Sequence, residues 1–348
     1  MNLETYRLTG SYFHFGEQGL GQEETRAFWS SDSLFAALAA RLAILQGGQV
    51  VDDWVQPFLS GSPPFLLTSL FPFAGDVHFF PVPLAAQLPD GRPLPAGVRP
   101  KALKKAQFIS ESIYRQLLTG KSLVDIEPQS KKIQGDKVWM TKSEHASLTK
   151  QLGAGFKPWH IEKRPRVTVE RPSNASTLFH VGAVYFAPGC GLWFGIQWLD
   201  SAADQALFAS LLADLGEAGL GAERSVGYGK AEITQARSLT LPDPGGLWTS
   251  LSRYLPRQEE MTAFQHQRAA WKVNTVGGWL DSPQKRGQRR RALNMVQEGA
   301  VFGAPAGCIL PFGRLEDAGP RYKGEEIPFP HPVYRCGLTV AVGYGGDA

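Results

Sequence analysis

With 348 residues, 43% of them hydrophobic and 20% charged, the chain can fill two ordinary domains or one large one, and general disorder is excluded. Three scattered cysteines, Cys190, Cys308 and Cys336, with no CxxC spacing, exclude a disulfide framework and a zinc site and suit a reducing compartment. No signal-peptide pattern opens the sequence, and the longest apolar run, Leu34 to Leu45, contains Arg41 and is too short to span a bilayer, so a soluble cytoplasmic protein without a membrane partner is expected.

In chain order, the alternation of Tyr6 to Phe13 predicts a first strand, ending at His14-Phe15-Gly16. A helix follows: Ser31 or Asp32 can cap it, Leu34, Phe35, Leu38, Leu42 and Leu45 form its apolar stripe, and Gly47-Gly48 stops it. Phe65 to Phe71 and Val77 to Val82 read as a hairpin turning at Pro72 to Asp76. From Arg99 to Gln151 the chain is lysine-rich and weakly periodic, an insertion with one helix around Ser110 to Leu118. Arg166 to Val169 and Leu178 to Phe186 form a second hairpin, and Leu192 to Leu199 a strongly apolar strand. A second helix carries Leu207, Phe208, Leu211, Leu212 and Leu215 on one face. A glycine-rich loop comes next, then a strand from Lys230 to Ala236. Without the insertion the order is β-α-β-β-α-β, that of ferredoxin-like domains. Past Pro242 to Gly246 a second domain is expected, with a basic loop at Lys285 to Arg291 and short strands around Ile309, Val333 and Leu338 to Val342.

The net charge of +4 hides an asymmetry: residues 99–171 hold 16 basic and 7 acidic residues, whereas residues 1–98 hold 4 and 9. Such a basic stretch suits either a nucleic-acid footprint or a solvated insertion. The motif most open to chemistry is Gly219-Leu220-Gly221-Ala222-Glu223-Arg224-Ser225-Val226-Gly227-Tyr228-Gly229-Lys230. Its four glycines permit positive φ angles and close backbone approach, Arg224 and Lys230 add charge, and Tyr228 is placed to stack on a base. A dinucleotide fingerprint and a Walker A loop both need Gly at 224, and a nucleophile elbow needs Gly at 223, so none of these fits. A tight helix-to-strand turn without a ligand remains open.

A glycine-rich loop before the last ferredoxin-like strand resembles the RAMP superfamily of CRISPR proteins. Further pieces resemble one branch, the fourth subunit of the type III-A Csm complex: His14-Phe15-Gly16, Ser31-Asp32-Ser33-Leu34-Phe35, Ser69-Leu70-Phe71-Pro72-Phe73, Arg166-Val167-Thr168-Val169-Glu170-Arg171, Gly277-Gly278-Trp279 and His331-Pro332-Val333-Tyr334-Arg335. The resemblance implies an α+β protein of two ferredoxin-like (RRM-like) domains: residues 1–238, with a basic insertion at about 99–175 and the glycine loop at 219–230, and residues 239–348, a degenerate copy. It implies a non-catalytic subunit that caps the repeat-derived 5′ handle of the crRNA, beside the large polymerase-like signature subunit and a RAMP backbone subunit. The hairpin at about Arg164 to Phe186 would be a thumb over the guide.

RNA contact is accordingly expected at Gly219, Gly221, Arg224, Ser225, Gly227, Tyr228, Gly229 and Lys230 of the loop. It is expected too at His14, at Arg164, Arg166 and Arg171 of the hairpin, and at Lys285, Arg286, Arg289, Arg290 and Arg291 of the basic loop. His14 is equally readable as a satisfied residue ending a strand, and Asp32 as a helix cap rather than a catalytic carboxylate. The seven histidines form no metal-ligand spacing, and neither metal nor cofactor is expected. Two other classes stay open: a RAMP endoribonuclease that processes precursor crRNA through His14 and Lys230, and a scaffold that binds only protein neighbours.

Overall fold

The structure is a computed structural model, and it describes all residues except 17–23, 88–99, 170–175, 281–286, 306, 308, 323–324, 327 and 346–348. The chain begins with β1 (Asn2–Thr9), whose Leu3 and Leu8 are fully buried on opposite faces of the strand. The strand expected to run on to Phe13 breaks at Gly10, where a side chain would collide with the Lys230 carbonyl and the Phe13 ring, and β2 (Tyr12–Phe13) joins a different sheet.

Helix α1 (Ser31–Gln46) buries Leu34, Phe35, Leu38 and Leu42, the stripe that the sequence displays. Each such side chain contributes about 1.5–3 kcal/mol on burial. Its N-cap is Ser30, so Asp32 is not the cap but lies in the first turn, fully buried. The Gly47-Gly48 pair ends α1 and immediately starts α2 (Gly48–Leu59), held by Val51, Val55 and Phe58 on one face. The next strands are β3 (Phe65–Leu67), β4 (Phe71–Ala74) and β5 (Val77–Pro81), with β4 and β5 turning at Gly75-Asp76.

The lysine-rich segment is more ordered than its weak periodicity suggests. It holds α3 (Pro100–Lys105), β6 (Phe108–Ser110), α4 (Glu111–Leu118), α5 (Leu123–Ile126), β7 (Ser130–Ile133), β8 (Val138–Thr141) and α6 (Lys142–Leu152). Helix α6 starts in a capping box, Thr141 accepting from the Glu144 N–H and Glu144 from the Thr141 N–H. A long hairpin, β9 (Trp159–Val169) and β10 (Ser176–Phe186), precedes β11 (Cys190–Trp198), α7 (Gln205–Ala218), β12 (Glu232–Gln235) and β13 (Leu239–Thr240). Asp204 caps α7 by accepting from the Leu207 N–H at 2.8 Å.

The main sheet runs β12-β1-β11-β4-β5-β6-β8-β7, with β3 on β11 and β13 on β1; within it β6–β8 is parallel and the other pairs are antiparallel. Strand β11, not β5, lies between β1 and β4, and the insertion strands extend the sheet outward from β5. Behind it, His78 stacks on Trp193 at 4.8 Å and accepts from Arg7 Nε at 3.1 Å. Burial, then Arg7 and Arg237, push His78 down to about 3, so it is neutral in its slot.

The C-terminal part holds a small sheet in which Leu247–Ser250 pairs with Val301–Gly303 and Ala341–Gly343, and hairpins formed by Val273–Val276 with Leu293–Val296 and Leu315–Asp317 with Tyr334–Cys336. Ile309, expected in a strand, is 83% exposed and in none. One core runs across both parts, joining Leu3, Leu34 and Leu192 to Cys336, Leu338 and Val342.

Candidate functional site

The glycine-rich segment is a compact turn folded on the first strands. All four of its glycines have positive φ: Gly219 +88°, Gly221 +87°, Gly227 +91° and Gly229 +85°. At two of them space matters as much as φ. A side chain at Gly221 would strike the His14 carbonyl, and one at Gly229 the Leu220 carbonyl. That closeness lets the Ala222 N–H donate to the His14 carbonyl (3.0 Å), the Gly229 N–H to the Tyr12 carbonyl (3.0 Å) and the Leu220 N–H to the Gly229 carbonyl (2.9 Å). Glycine therefore fixes the inner side of the turn, and the outer side, with Arg224, Ser225, Gly227 and Lys230, is exposed.

Tyr228 does not share that outer side. It is 2% exposed, packed edge-on against Tyr12 with ring centres 4.7 Å apart, so the face expected to take a base is covered by the protein. His14 is also inside: it is 7% exposed, with Nδ1 2.7 Å from the Gly182 carbonyl of β10. It ties the segment under the glycine turn to the hairpin instead of facing outward.

The hairpin rises beside the turn. Every residue of β9 beyond Trp159 is at least partly exposed, as are the first five of β10. Because directly opposed residues share a face, Glu162, Arg164 and Arg166 lie with Ala183, Val181 and Phe179, and Ile161 and Val167 lie on the reverse with Val184 and Leu178. The arginine face looks toward the turn. Arg166 Nη1 is 3.8 Å from Glu223 Oε2, and its guanidinium lies 5.5 Å from the Tyr228 ring centre. Arg164 lies 5.1 Å from the Tyr185 ring centre and 5.8 Å from that of Tyr12. Arg166 thus reaches the glycine turn at Glu223 and Tyr228, which flank Arg224, Ser225 and Gly227 in sequence. Arg164 meets Tyr12 and Tyr185, and no contact joins it to Lys230; Arg171 lies outside the described residues.

The basic loop behaves differently from its expectation as a free phosphate contact. Lys285 and Arg286 lie outside the described residues. Arg289 is exposed and covers the Trp279 ring at 4.5 Å. Arg290 turns inward to the Gly277 carbonyl, and Arg291 binds Glu316 Oε1 and the Asp317 carbonyl, each at 2.6 Å. Two of the three described arginines therefore hold the C-terminal part together.

At the N-terminus of α1 lies a buried ionic cluster. Asp32 Oδ2 accepts from Arg335 Nη1 at 2.9 Å, and Arg253 Nε donates to Glu298 Oε1 at 3.1 Å, which also takes the Ser69 hydroxyl at 2.6 Å. Burial alone would raise the Asp32 carboxyl; Arg335, Arg253 and Arg290 more than offset it and hold Asp32 below the usual range. Among the described residues no group of three or more His, Cys, Asp or Glu could hold a metal ion, and no helix is long and apolar enough to cross a membrane.

Sequence reasoning missed Tyr12, Tyr185 and Glu223, which position the arginines, and Arg253 and Arg335. Tyr12 and Tyr185 are paired in register across β2 and β10, a signal visible only once that pairing is known.

The mixed α+β architecture with its large sheet is shared with chains of solved CRISPR complexes. The chain superposes with a TM-score of 0.66 on a chain of the crystal structure of a Csm3-Csm4 subcomplex of the type III-A CRISPR-Cas interference complex, at 16% identity, covering 98% of this chain and 99% of that one. It superposes at 0.56 on a chain of a Csm1-Csm4 cassette in complex with cA4, also at 16% identity, covering 99% and 98%. Residues 243–344 match the family model of the CRISPR Csm4 C-terminal domain. Over its length the chain is similar to two proteins called CRISPR system Cms protein Csm4. That of Thermococcus onnurineus (strain NA1) is 22% identical over 323 residues, 90% of each chain, and that of Methanocaldococcus jannaschii 22% identical over 325, 84% of this chain and 82% of the relative. The likeness to Csm4 thus extends over the sequence, the C-terminal family match and the fold.

Proposed function

We propose that this chain is the Csm4 subunit of a cytoplasmic type III-A CRISPR complex and holds the repeat-derived 5′ handle of the crRNA without cutting it. Its protein neighbours are then a Csm1-type large subunit and a Csm3-type backbone subunit, the companions named in the structures it superposes on. One observation carries the RNA assignment: the arginine face of the β9–β10 hairpin meets the glycine turn, Arg166 contacting Glu223 directly before the exposed Arg224 and Ser225. Clustered guanidinium and ammonium groups beside the exposed Ser225 suit a phosphate backbone.

The order β12-β1-β11-β4, with α1 and α7 as the crossovers, supports a ferredoxin-like N-terminal domain over residues 1–238 with a basic insertion at about 99–175. Residues 239–348 make the second domain of the proposal. A non-catalytic role is supported by the two best candidates for chemistry. Asp32 is sealed in an ion pair, and His14 is buried against the Gly182 carbonyl. The endoribonuclease reading thus loses its proposed acid–base partner for Lys230.

Binding of handle RNA across a salt series tests the proposal. Arg224→Glu and Lys230→Glu should each weaken binding and lower the salt slope by about 0.7, as for a lost single-strand phosphate contact, with stability changed by no more than about 0.5 kcal/mol. Unchanged affinity and slope in both variants would reduce the glycine segment to a turn. Single-site cleavage of repeat RNA that disappears in His14→Ala would restore the endoribonuclease.

A further inference from the structure

Beyond the glycine turn, the same N-terminal segment borders a second feature. Phe15 and Gly16, directly after His14, line a shallow cleft at the start of α1 that is open to solvent. Ser30, Ser33, Phe28 and Trp29 also line it, and Arg26, Arg253 and Arg290 supply charge, with no carboxylate among the lining residues.

The charges behind the cleft are not balanced alike. Arg335 faces Asp32 and Arg253 faces Glu298, each pair at hydrogen-bond distance. Arg290 reaches a neutral partner, the Gly277 carbonyl, and its Nε is buried with no hydrogen-bond partner. Burial, then the neighbouring Arg335, lower the Arg290 guanidinium to about 9 against the pull of Asp32. A cation held this way is stabilised by an anion entering from the open side. The donors there suit phosphate oxygens: a planar guanidinium fork, the Ser33 hydroxyl, which itself accepts from Ser30 at 3.2 Å, and the positive end of a 16-residue helix.

We propose that this cleft holds the phosphate of one single-stranded RNA nucleotide, with the sugar or base against Phe28 and Trp29. This rests on the RNA-holding reading and adds a second seat for the strand. The strand would pass from the glycine turn over His14 to Gly16, whose backbone joins the two places: the His14 carbonyl anchors Ala222, and Gly16 lines the cleft.

Ser33→Asp tests it. The new carboxylate lies in the first turn of α1, where a negative charge favours the helix, so the fold is retained while the cleft becomes hostile to phosphate. Retention is checked by the melting temperature of the full chain. The expected result is at least a tenfold loss of handle-RNA affinity in Ser33→Asp. A second arm needs no RNA: AMP should raise the melting temperature of the unaltered chain and leave Ser33→Asp unmoved. If the unaltered chain bound no handle RNA but kept the AMP effect, the RNA reading would fall and the cleft would stand. If inorganic phosphate stabilised as much as AMP, the aromatic seat would fall and the phosphate seat would stand. Wild-type RNA affinity in Ser33→Asp, together with no AMP effect on the unaltered chain, would overturn the proposal.

Discussion

The ionic cluster under α1 and the arginines around the glycine turn use the same residue types to opposite ends. Below α1, Asp32 and Arg335 are 0% and 7% exposed and face each other at 2.9 Å. Across the turn, the Arg166 and Glu223 side chains are 27% and 35% exposed and only 3.8 Å apart. Inside, a charge without its partner has no water to fall back on, so pairing is obligatory and either member is costly to remove. Outside, water replaces a lost partner, so the pair contributes little to stability and stays available for a ligand. Burial, not residue identity, separates structural from recognition arginines here.

The contrast is broken most severely by Asp32→Ala, which strands Arg335 and should cost about 3–5 kcal/mol in denaturant unfolding. Because the Asp32 carboxyl is held below its ordinary value near 3.8 in the folded chain, its contribution is full above that pH. It is lost as pH falls through the lower folded value, and an Asp32→Asn variant should lack that acid-limb loss.

Next in size is a pair of glycine replacements. Gly221→Val meets both a positive φ and the His14 carbonyl and should destabilise by more than the about 1–3 kcal/mol of backbone strain alone. Gly227→Val shares the strain, but its nearest neighbour is the Tyr12 hydroxyl at 3.5 Å, so it should cost strain only. Equal melting temperatures for the two would contradict the inner-and-outer division of the turn. Smallest of all, Arg166→Ala should change stability by at most about 1 kcal/mol, and a double-mutant cycle with Glu223→Ala should show coupling no larger than that.

What the sequence displays follows from local rules. Helix α1 is legible because its leucines repeat on one face, and the β9–β10 hairpin because its runs alternate. Helix α2 is not, because Gly47-Gly48 reads as a stop although Val51, Val55 and Phe58 follow at helical spacing. Helix α6 carried a usable signal, Thr141 and Glu144 at capping-box spacing, in a stretch that is otherwise only lysine-rich. The place of β11 between β1 and β4 is not legible at all, since alternation tells which face of a strand is buried and not which strand lies beside it.

The site divides in the same way. Four glycines between a helix and a strand announce a turn with positive φ, and the structure has one. A tyrosine inside that turn gives no sign of its direction, and Tyr228 points in. Nor does any local pattern join Asp32 to Arg335, 303 residues apart, or Arg253 to Glu298, 45 apart.

The hairpin has a consequence for how the protein behaves in a crowded solution. Among the described residues β9 pairs only with β10, so its other side is an open sheet edge eleven residues long, roughly 36 Å of backbone. Such an edge is a template on which another chain can add a strand and begin to aggregate. This one carries Glu162, Lys163, Arg164 and Arg166 in close succession, with Pro165 among them. A second copy laid alongside would bring like charges together and would meet a residue that has no N–H to offer. The arginines that make the hairpin a candidate to hold RNA thus also keep its edge from recruiting another strand.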